Sequence, residues 1–285
     1  MAGPGEPGDA DARRRALART ATIEIIPLRG VDSAVTDIPP STTITITCSP
    51  KWGVGRTVEL TELIAGAGHQ VVPHIAARQV ADRAQLRSIV DRLAGAGVRN
   101  IYVIGGDAAV PIGEFASAVD LLDTLATLDH PFTDIGIAAY PEGHPKISDA
   151  ELLEALLRKQ RHATYLVSQL CFDTEVLLAW LRGTRREGVT LPLRVGIAGP
   201  IDTRTLVTLA LRIGVGSSLR YLTKQHGLLG SVLRGGAYRP EHLLDELADA
   251  PDLDQLGIDG VQLSSFNQIA ATVEWQRRVA GTLAA

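Results

Sequence analysis

The residues of this chain best suited to chemistry are carboxylates, imidazoles and a carboxamide placed at the ends of apolar runs. Glu24 interrupts Thr22-Ile23-Glu24-Ile25-Ile26, an otherwise apolar stretch. A carboxylate there faces an interior, and desolvation raises its pKa toward that of a proton donor at neutral pH. An internal structural charge paired to a cation is the competing role. Asp107 follows Gly105-Gly106, a pair that lets backbone approach a ligand while the loop aims the carboxylate, or that simply makes a turn. His74 follows Pro73 in another apolar run, where a packed core histidine is commoner than a catalytic one. Gln169, just after Tyr165-Leu166-Val167-Ser168, can offer both donor and acceptor to the edge of a heterocycle. The run Gly136-Ile137-Ala138-Ala139 leads into Tyr140, Glu142 and His144, braced by Pro141 and Pro145. Stiffening by two prolines presents polar groups on a rigid corner, which serves a binding site or a plain surface turn.

Such side chains must be positioned by regular elements, and the chain alternates short β-rich runs with longer helical patterns. Strands are expected at Thr22–Ile26, Thr43–Thr47, Gln70–Ile75, Asn100–Ile104, Asp134–Ala139, Thr164–Leu170, Leu193–Ala198 and Gly260–Ser264. Several are continuously apolar, as a parallel sheet covered by helices requires. Between them, Leu86, Ile89, Val90 and Leu93 recur at helical spacing. Ser148 caps the next clear helix, and a third opens at Asp202-Thr203 and stops at Gly214. Eight strand–helix units over this length fit a single α/β (β/α)8 barrel of the TIM type. A doubly wound open sheet is the competitor, but no Gly-x-Gly-x-x-Gly joins a strand to a helix. Between Pro27 and Thr42 there is room only for a short turn near Val31–Val35, so the first helix is shortened. In such a barrel the site lies at the strand C-termini. That places Glu24, Thr47, His74, Asp107, Tyr140, His144, Gln169, Asp173, Ser264, Ser265 and Asn267 on one end.

The 285 residues are 45% hydrophobic and 21% charged, with a formal charge of −4. This balance suits a soluble globular protein and offers no electrostatic case for nucleic acid or membrane partners. Residues 1–20 are Gly/Pro/Ala-rich and then arginine-rich, without the apolar core of a secretory signal; they read as a flexible tail leading into a short helix, with the barrel over 21–285. Cys48 and Cys171 fit neither a disulfide framework nor a metal-ligand spacing, so free thiols in a reducing cytoplasm and no metal site are expected.

Taken together, these motifs resemble the methylenetetrahydrofolate reductase family from Ile23 to about Ala280. Ile23-Glu24-Ile25-Ile26-Pro27 resembles the family's Phe-Glu-Phe-Phe-Pro, and Tyr140-Pro141-x-x-His144-Pro145 its Tyr-Pro-x-x-His-Pro. Ser168-Gln169-x-x-Phe172-Asp173 is similar to Thr-Gln-x-x-Phe-Asp, and Gly196-Ile197-x-x-Pro200-Ile201 and Asn267 match later motifs. The resemblance implies reduction of 5,10-methylenetetrahydrofolate to 5-methyltetrahydrofolate by NADH or NADPH, usually through FAD, as a step of one-carbon metabolism and methionine biosynthesis. It implies Glu24 as general acid and Asp107 as electrostatic partner of the cation. Thr47, His74, Gly106, Asp107, Tyr140 and His144 would line the flavin, and Gln169 and Asn267 would bind the folate.

The chain departs from the pattern at Gly105, where the family carries arginine. The helix after the Tyr-Pro motif reads Glu151, Glu154, Leu157 and Arg158 in place of the usual phosphate-binding set, and Gln268 stands where arginine is usual. Lys51, Arg56, Arg158 or Lys159 are the cations left to hold a flavin's phosphates. Flavin-independent reduction, oxidation of methyltetrahydrofolate in a demethylation pathway, and a silent folate-binding or scaffold relative are the alternatives. A homo-oligomer is allowed.

Overall fold

The computed structural model describes residues 7–213, 237–238 and 240–282. Eight parallel strands close into a barrel: β1 (Thr22–Ile25), β2 (Ile44–Ile46), β3 (Val71–Ala76), β4 (Asn100–Ile104), β5 (Asp134–Ala139), β6 (Tyr165–Ser168), β7 (Leu193–Ala198) and β10 (Ile258–Ser264). The order around the barrel is β1-β10-β7-β6-β5-β4-β3-β2. A separate antiparallel pair joins β8 (Ile201–Asp202) to β9 (Ala237–Tyr238). The expected barrel and strand set are therefore present, with ends shifted by one or two residues. The last strand starts earlier, at Ile258, because a register shift between Ile258 and Gly260 lets the chain resume pairing with β7.

Chain contacts divide the molecule into two compact units. The first spans 22–138 and 154–166. Its strands are mostly buried; all six residues of β3 are buried, as are Ile23, Ile25, Ile44, Ile46 and Ile101. The first crossover is a single turn, α2 (Val31–Ala34), followed by a 3-10 turn, Val35–Asp37, which is the shortened helix that the spacing requires. Full helices follow at α3 (Gly53–Gly66), α4 (Arg83–Gly95) and α5 (Ala118–Leu125). On α4, Leu86, Ile89, Val90 and Leu93 face inward, and Asp82 caps the start by accepting from Gln85 N. Gly136 in β5 is obligatory. A Cβ there would lie 2.5 Å from the Tyr165 ring, whose hydroxyl donates to Asn100 Oδ1 at 2.9 Å.

The second unit spans 1–21, 139–153 and 167–285. It holds α7 (Thr174–Arg186), α8 (Thr203–Ile213), α9 (Glu241–Ala248), α10 (Leu253–Leu256) and α11 (Ile269–Val279). Residues Pro7–Arg19, within the segment expected to be a tail leading into a short helix, form α1. Leu17 and Ala18 are buried there, and Gln276 Nε2 on α11 donates to the carbonyls of Ala18 and Ala21 at 3.1 and 3.0 Å. The helix α6 (Asp149–Lys159) crosses from one unit to the other. Its start is a reciprocal capping box, Ser148 N and Oγ donating to Glu151 Oε2 and Glu151 N to Ser148 Oγ. The expected stop of α8 at Gly214 lies outside the described residues.

Candidate active site

Within the first unit the expected residues Glu24, Thr47, His74, Gly106 and Asp107 come from the C-terminal ends of four consecutive strands. β1 presents Glu24 with its side chain 18% exposed, and His74 on β3 lies within reach, Nε2 to Oε2 3.9 Å. That separation exceeds a hydrogen bond, and His74 Nε2 is buried with no hydrogen-bond partner among the described residues. Burial pushes the imidazole down to about 3, so it is neutral at physiological pH and brings no positive charge to Glu24. Its ring packs edge-on against Tyr102, its register neighbour on β4, with centroids 4.5 Å apart.

Thr47 is tied through its backbone: its N–H donates to Ile25 O and its carbonyl accepts from Thr57 Oγ1 on α3. Cys48 beside it is a free, buried thiol, raised in pKa by burial.

After β4 the chain turns through Gly105, Gly106 and Asp107, and Asp107 is exposed. Gly106 adopts φ +90°, with Ala76 so close that a Cβ would lie 2.9 Å from the alanine methyl. The glycine's freedom is thus used to pack this turn against β3. The loop beyond is held by Arg78, which the sequence reading did not single out. Its Nε donates to Ala108 O at 2.7 Å, Nη2 to Ala109 O at 2.8 Å and Nη1 to Ala116 O at 2.9 Å. The Arg78 backbone adds N–H to Gly105 O and accepts from Ile112 N. Its neighbour Gln79 is buried. The sequence signal for both was available: two polar residues follow β3 after a single alanine, Ala77.

In the second unit Tyr140 and His144 sit on the proline-braced corner as expected, their rings edge-to-face at 5.4 Å. The turn closes by Gly143 N donating to Tyr140 O, with Gly143 at φ +77°, and His144 Nδ1 accepts from Lys146 N at 3.2 Å. Gln169 N donates to Ala139 O, which couples this corner to the end of β6. The Gln169 Oε1 accepts from Leu170 N at 3.0 Å, so the carboxamide has its N–H donors left to offer. Ser168 Oγ accepts from Gly196 N, and Gly196 must be glycine because a Cβ would lie 2.4 Å from Ser168 O.

Asp173, expected at the end of the sixth strand, is buried and caps α7, accepting from Val176 N. Ser264 and Ser265 are buried at the end of β10. Asn267 follows them in left-handed backbone, φ 62°, next to Phe266 at 48°. Consecutive non-glycine residues in that region are costly and concentrate at binding sites.

Arg158 lies on α6 and not on a strand end. It is exposed in the last turn of α6, roughly 14 Å along the helix axis from its start at a rise of about 1.5 Å per residue. Lys159 is buried, its Nζ donating to Ala138 O at 2.9 Å, and burial lowers it to about 8. Among the described residues no group of three His, Cys, Asp or Glu side chains could hold a metal ion, and no helix is long and apolar enough to cross a membrane.

A closed parallel barrel of eight strands with helices between them defines the (β/α)8 class. The fold is similar to a crystal structure of oxaloacetate acetylhydrolase, with a TM-score of 0.50 over 93% of this chain and 83% of that one; at 10% identity this shows the fold alone. The family model for methylenetetrahydrofolate reductase matches residues 41–211. The chain belongs to the methylenetetrahydrofolate reductase family. It is 26% identical over 174 residues to methylenetetrahydrofolate reductase (NADH) 1 of Arabidopsis thaliana, covering 53% of this chain and 29% of that protein. It is 30% identical over 133 residues to the 5,10-methylenetetrahydrofolate reductase of Pectobacterium carotovorum, covering 46% of this chain and 44% of that one. The matched segment thus spans less than half of either relative.

Proposed function

We propose that the chain reduces 5,10-methylenetetrahydrofolate to 5-methyltetrahydrofolate with a hydride from NADH or NADPH. The observation that carries the reading is Glu24, mostly buried within β1 and beside an imidazole that burial keeps neutral, in a chain of this family. Glu24 in its acid form gives its proton to N10. The bond from the methylene carbon to N10 breaks and leaves a cationic iminium at N5. Hydride adds to the exocyclic carbon, and the N5-methyl product results. Asp107 favours the cation electrostatically, and the Gln169 donors orient the pterin edge.

FAD is the group the family resemblance implies, with Thr47, His74, Gly106, Asp107, Tyr140, His144 and Arg158 around it. These residues do not fit its diphosphate. No cation stands at Gly105, α6 opens with Asp149 and Glu151, and Arg158 sits in the last turn of that helix. Like charges at the helix start oppose an anion. This favours hydride passing directly from the nicotinamide to the iminium, and no step here runs through a flavin. The reverse oxidation uses the same groups.

The test is methylenetetrahydrofolate-dependent NADH and NADPH oxidation by the full chain, wild type against Glu24→Gln. Loss of a general acid lowers kcat by roughly 100- to 10,000-fold with little change in KM. Turnover that survives the substitution removes Glu24 as the acid. No turnover by the wild type in either direction, with folate still bound, supports a silent relative. A visible spectrum before and after adding FAD decides the hydride route: a bound-flavin spectrum would overturn the direct transfer.

A further inference from the structure

The interior of a barrel of this class is ordinarily filled by branched apolar side chains. Beside Glu24 it is polar. His74 on β3 reaches Glu24 past the intervening β2, Nε2 to Oε2 3.9 Å, an approach made on the concave inner face of the strands. Parallel partners in register point to the same face, and side chains alternate along each strand. Thr45 is the β2 partner of Glu24 and of Val72, which lies two residues before His74. Thr22 lies two residues before Glu24 on β1. All four side chains therefore share the inner face.

The donors on that face are unoccupied. Thr45 is 3% exposed and His74 4%, and neither Thr45 Oγ1 nor His74 Nε2 has a hydrogen-bond partner among the described residues. Thr22 Oγ1 is in the same condition one layer deeper. Buried polar atoms without partners are rare in native structures, and each one calls for a reason. Apart from Glu24, β1 and β2 carry no titratable side chain, and β3 carries only His74. Glu24 is thus the charge on these three strands that the donors can meet. The His74 ring is held edge-on to Tyr102 and stays neutral because burial disfavours its cation. With its hydrogen on Nε2 it donates without gaining or losing a proton.

A bond already made to Glu24 would favour the carboxylate and oppose proton donation. At 3.9 Å it is not made. A closure of about 1 Å brings Nε2 to hydrogen-bond distance, as catalytic contacts tighten in the complex.

We propose that His74 and Thr45 are positioning residues that receive the charge of Glu24, their Nε2–H and Oγ1–H turning to the carboxylate as its proton leaves. Glu24 gives one proton to N10, and the electrons of the breaking carbon–N10 bond stay with N10. His74 and Thr45 keep their protons throughout, and solvent returns one to Glu24 after the product forms. The effect on turnover rests on the proposed reaction; the hydrogen bonds to the carboxylate do not.

Thr45→Val, His74→Leu and Thr22→Val of the full chain test it. Valine keeps the shape of threonine, and loss of an unpartnered hydroxyl does not weaken folding, so the Thr45 arm stands even if His74→Leu fails to fold. The first readout is an infrared titration of the Glu24 carboxyl band, taken as the difference from Glu24→Gln without substrate. Its midpoint in Thr45→Val and in His74→Leu lies about one to two pH units above wild type. The second is folate turnover, where each variant lowers kcat about 10- to 100-fold with KM held, because the charge exists only after proton transfer. Thr22→Val moves neither readout. A midpoint unchanged in either donor variant, or an equal shift in Thr22→Val, overturns the proposal. Absence of turnover by the wild type sinks the reaction instead, and the midpoints still decide the donors.

Discussion

His74 is buried at the end of β3 with a pKa of about 3, against about 6.5 in an unfolded chain. The unfolded state therefore binds a proton that the native state refuses throughout that interval. Stability is unaffected above about pH 6.5 and falls as pH drops below it, by about 1.4 kcal/mol per pH unit. Urea unfolding at pH 7.5 and 5.5 checks this: His74→Gln removes that part of the slope, and an unchanged slope means that His74 is protonated in the folded chain. Lys159 acts at the other end of the scale. Its folded value of about 8 lies below the ordinary 10.5, so its cost is fully present below pH 8 and disappears as pH rises toward 10.5. Lys159→Met flattens the rise in stability over pH 8 to 10.5; a rise that persists in the variant comes from another group.

At the scale of elements, the ordering of the β4–α5 connection depends on a residue outside it. Arg78 donates three side-chain hydrogen bonds to carbonyls spread over Ala108, Ala109 and Ala116, and Gly113 lies so close to Ala81 that a Cβ would overlap its carbonyl. Asp107 lies at the base of this loop, so Arg78 is a positioning residue for it. Arg78→Ala leaves the barrel strands intact but loosens the loop by on the order of 1–3 kcal/mol. Hydrogen exchange reads the effect: Ile112 and Glu114 amides, which donate to Arg78 O and Ala81 O, lose protection while those of β3 and β4 keep theirs. Equal loss across β3 and the loop would show a general destabilisation instead. The Gly105-Gly106-Asp107 segment reads in the sequence as a close approach of backbone to a ligand or as a plain turn, and the packing of Gly106 on Ala76 was not legible there. Arg78 was less legible still, because its partners are backbone carbonyls 30 to 38 residues away, and a carbonyl has no residue type to read.

At the scale of the whole molecule, the strand count, the single-turn first crossover and the free thiols were legible because periodicity and spacing are local properties. Barrel closure followed from the number of strand–helix units and not from periodicity, since it depends on register between strands rather than on any one of them. Asp173 shows the same limit: a carboxylate at a strand end does not reveal from sequence that it caps α7, which its hydrogen bond from Val176 N shows. The N-terminal helix is the clearest case of a long-range tie within the second unit. Composition marks the first 20 residues as tail-like, yet α1 is held by Gln276, whose buried Nε2 meets carbonyls 258 and 255 positions earlier. Gln276→Leu strands the Ala18 and Ala21 carbonyls and costs about 2–4 kcal/mol, which lowers Tm by on the order of 3–7 °C for a chain of this size. Arg278→Ala on the same helix removes only an exposed contact to Glu241, 3.0 Å long, and costs under about 1 kcal/mol. Thermal unfolding of the two variants side by side separates a buried tether from a surface pair. A Tm shift no larger for Gln276→Leu than for Arg278→Ala would mean that α1 contributes little to the fold, and its removal would then be harmless.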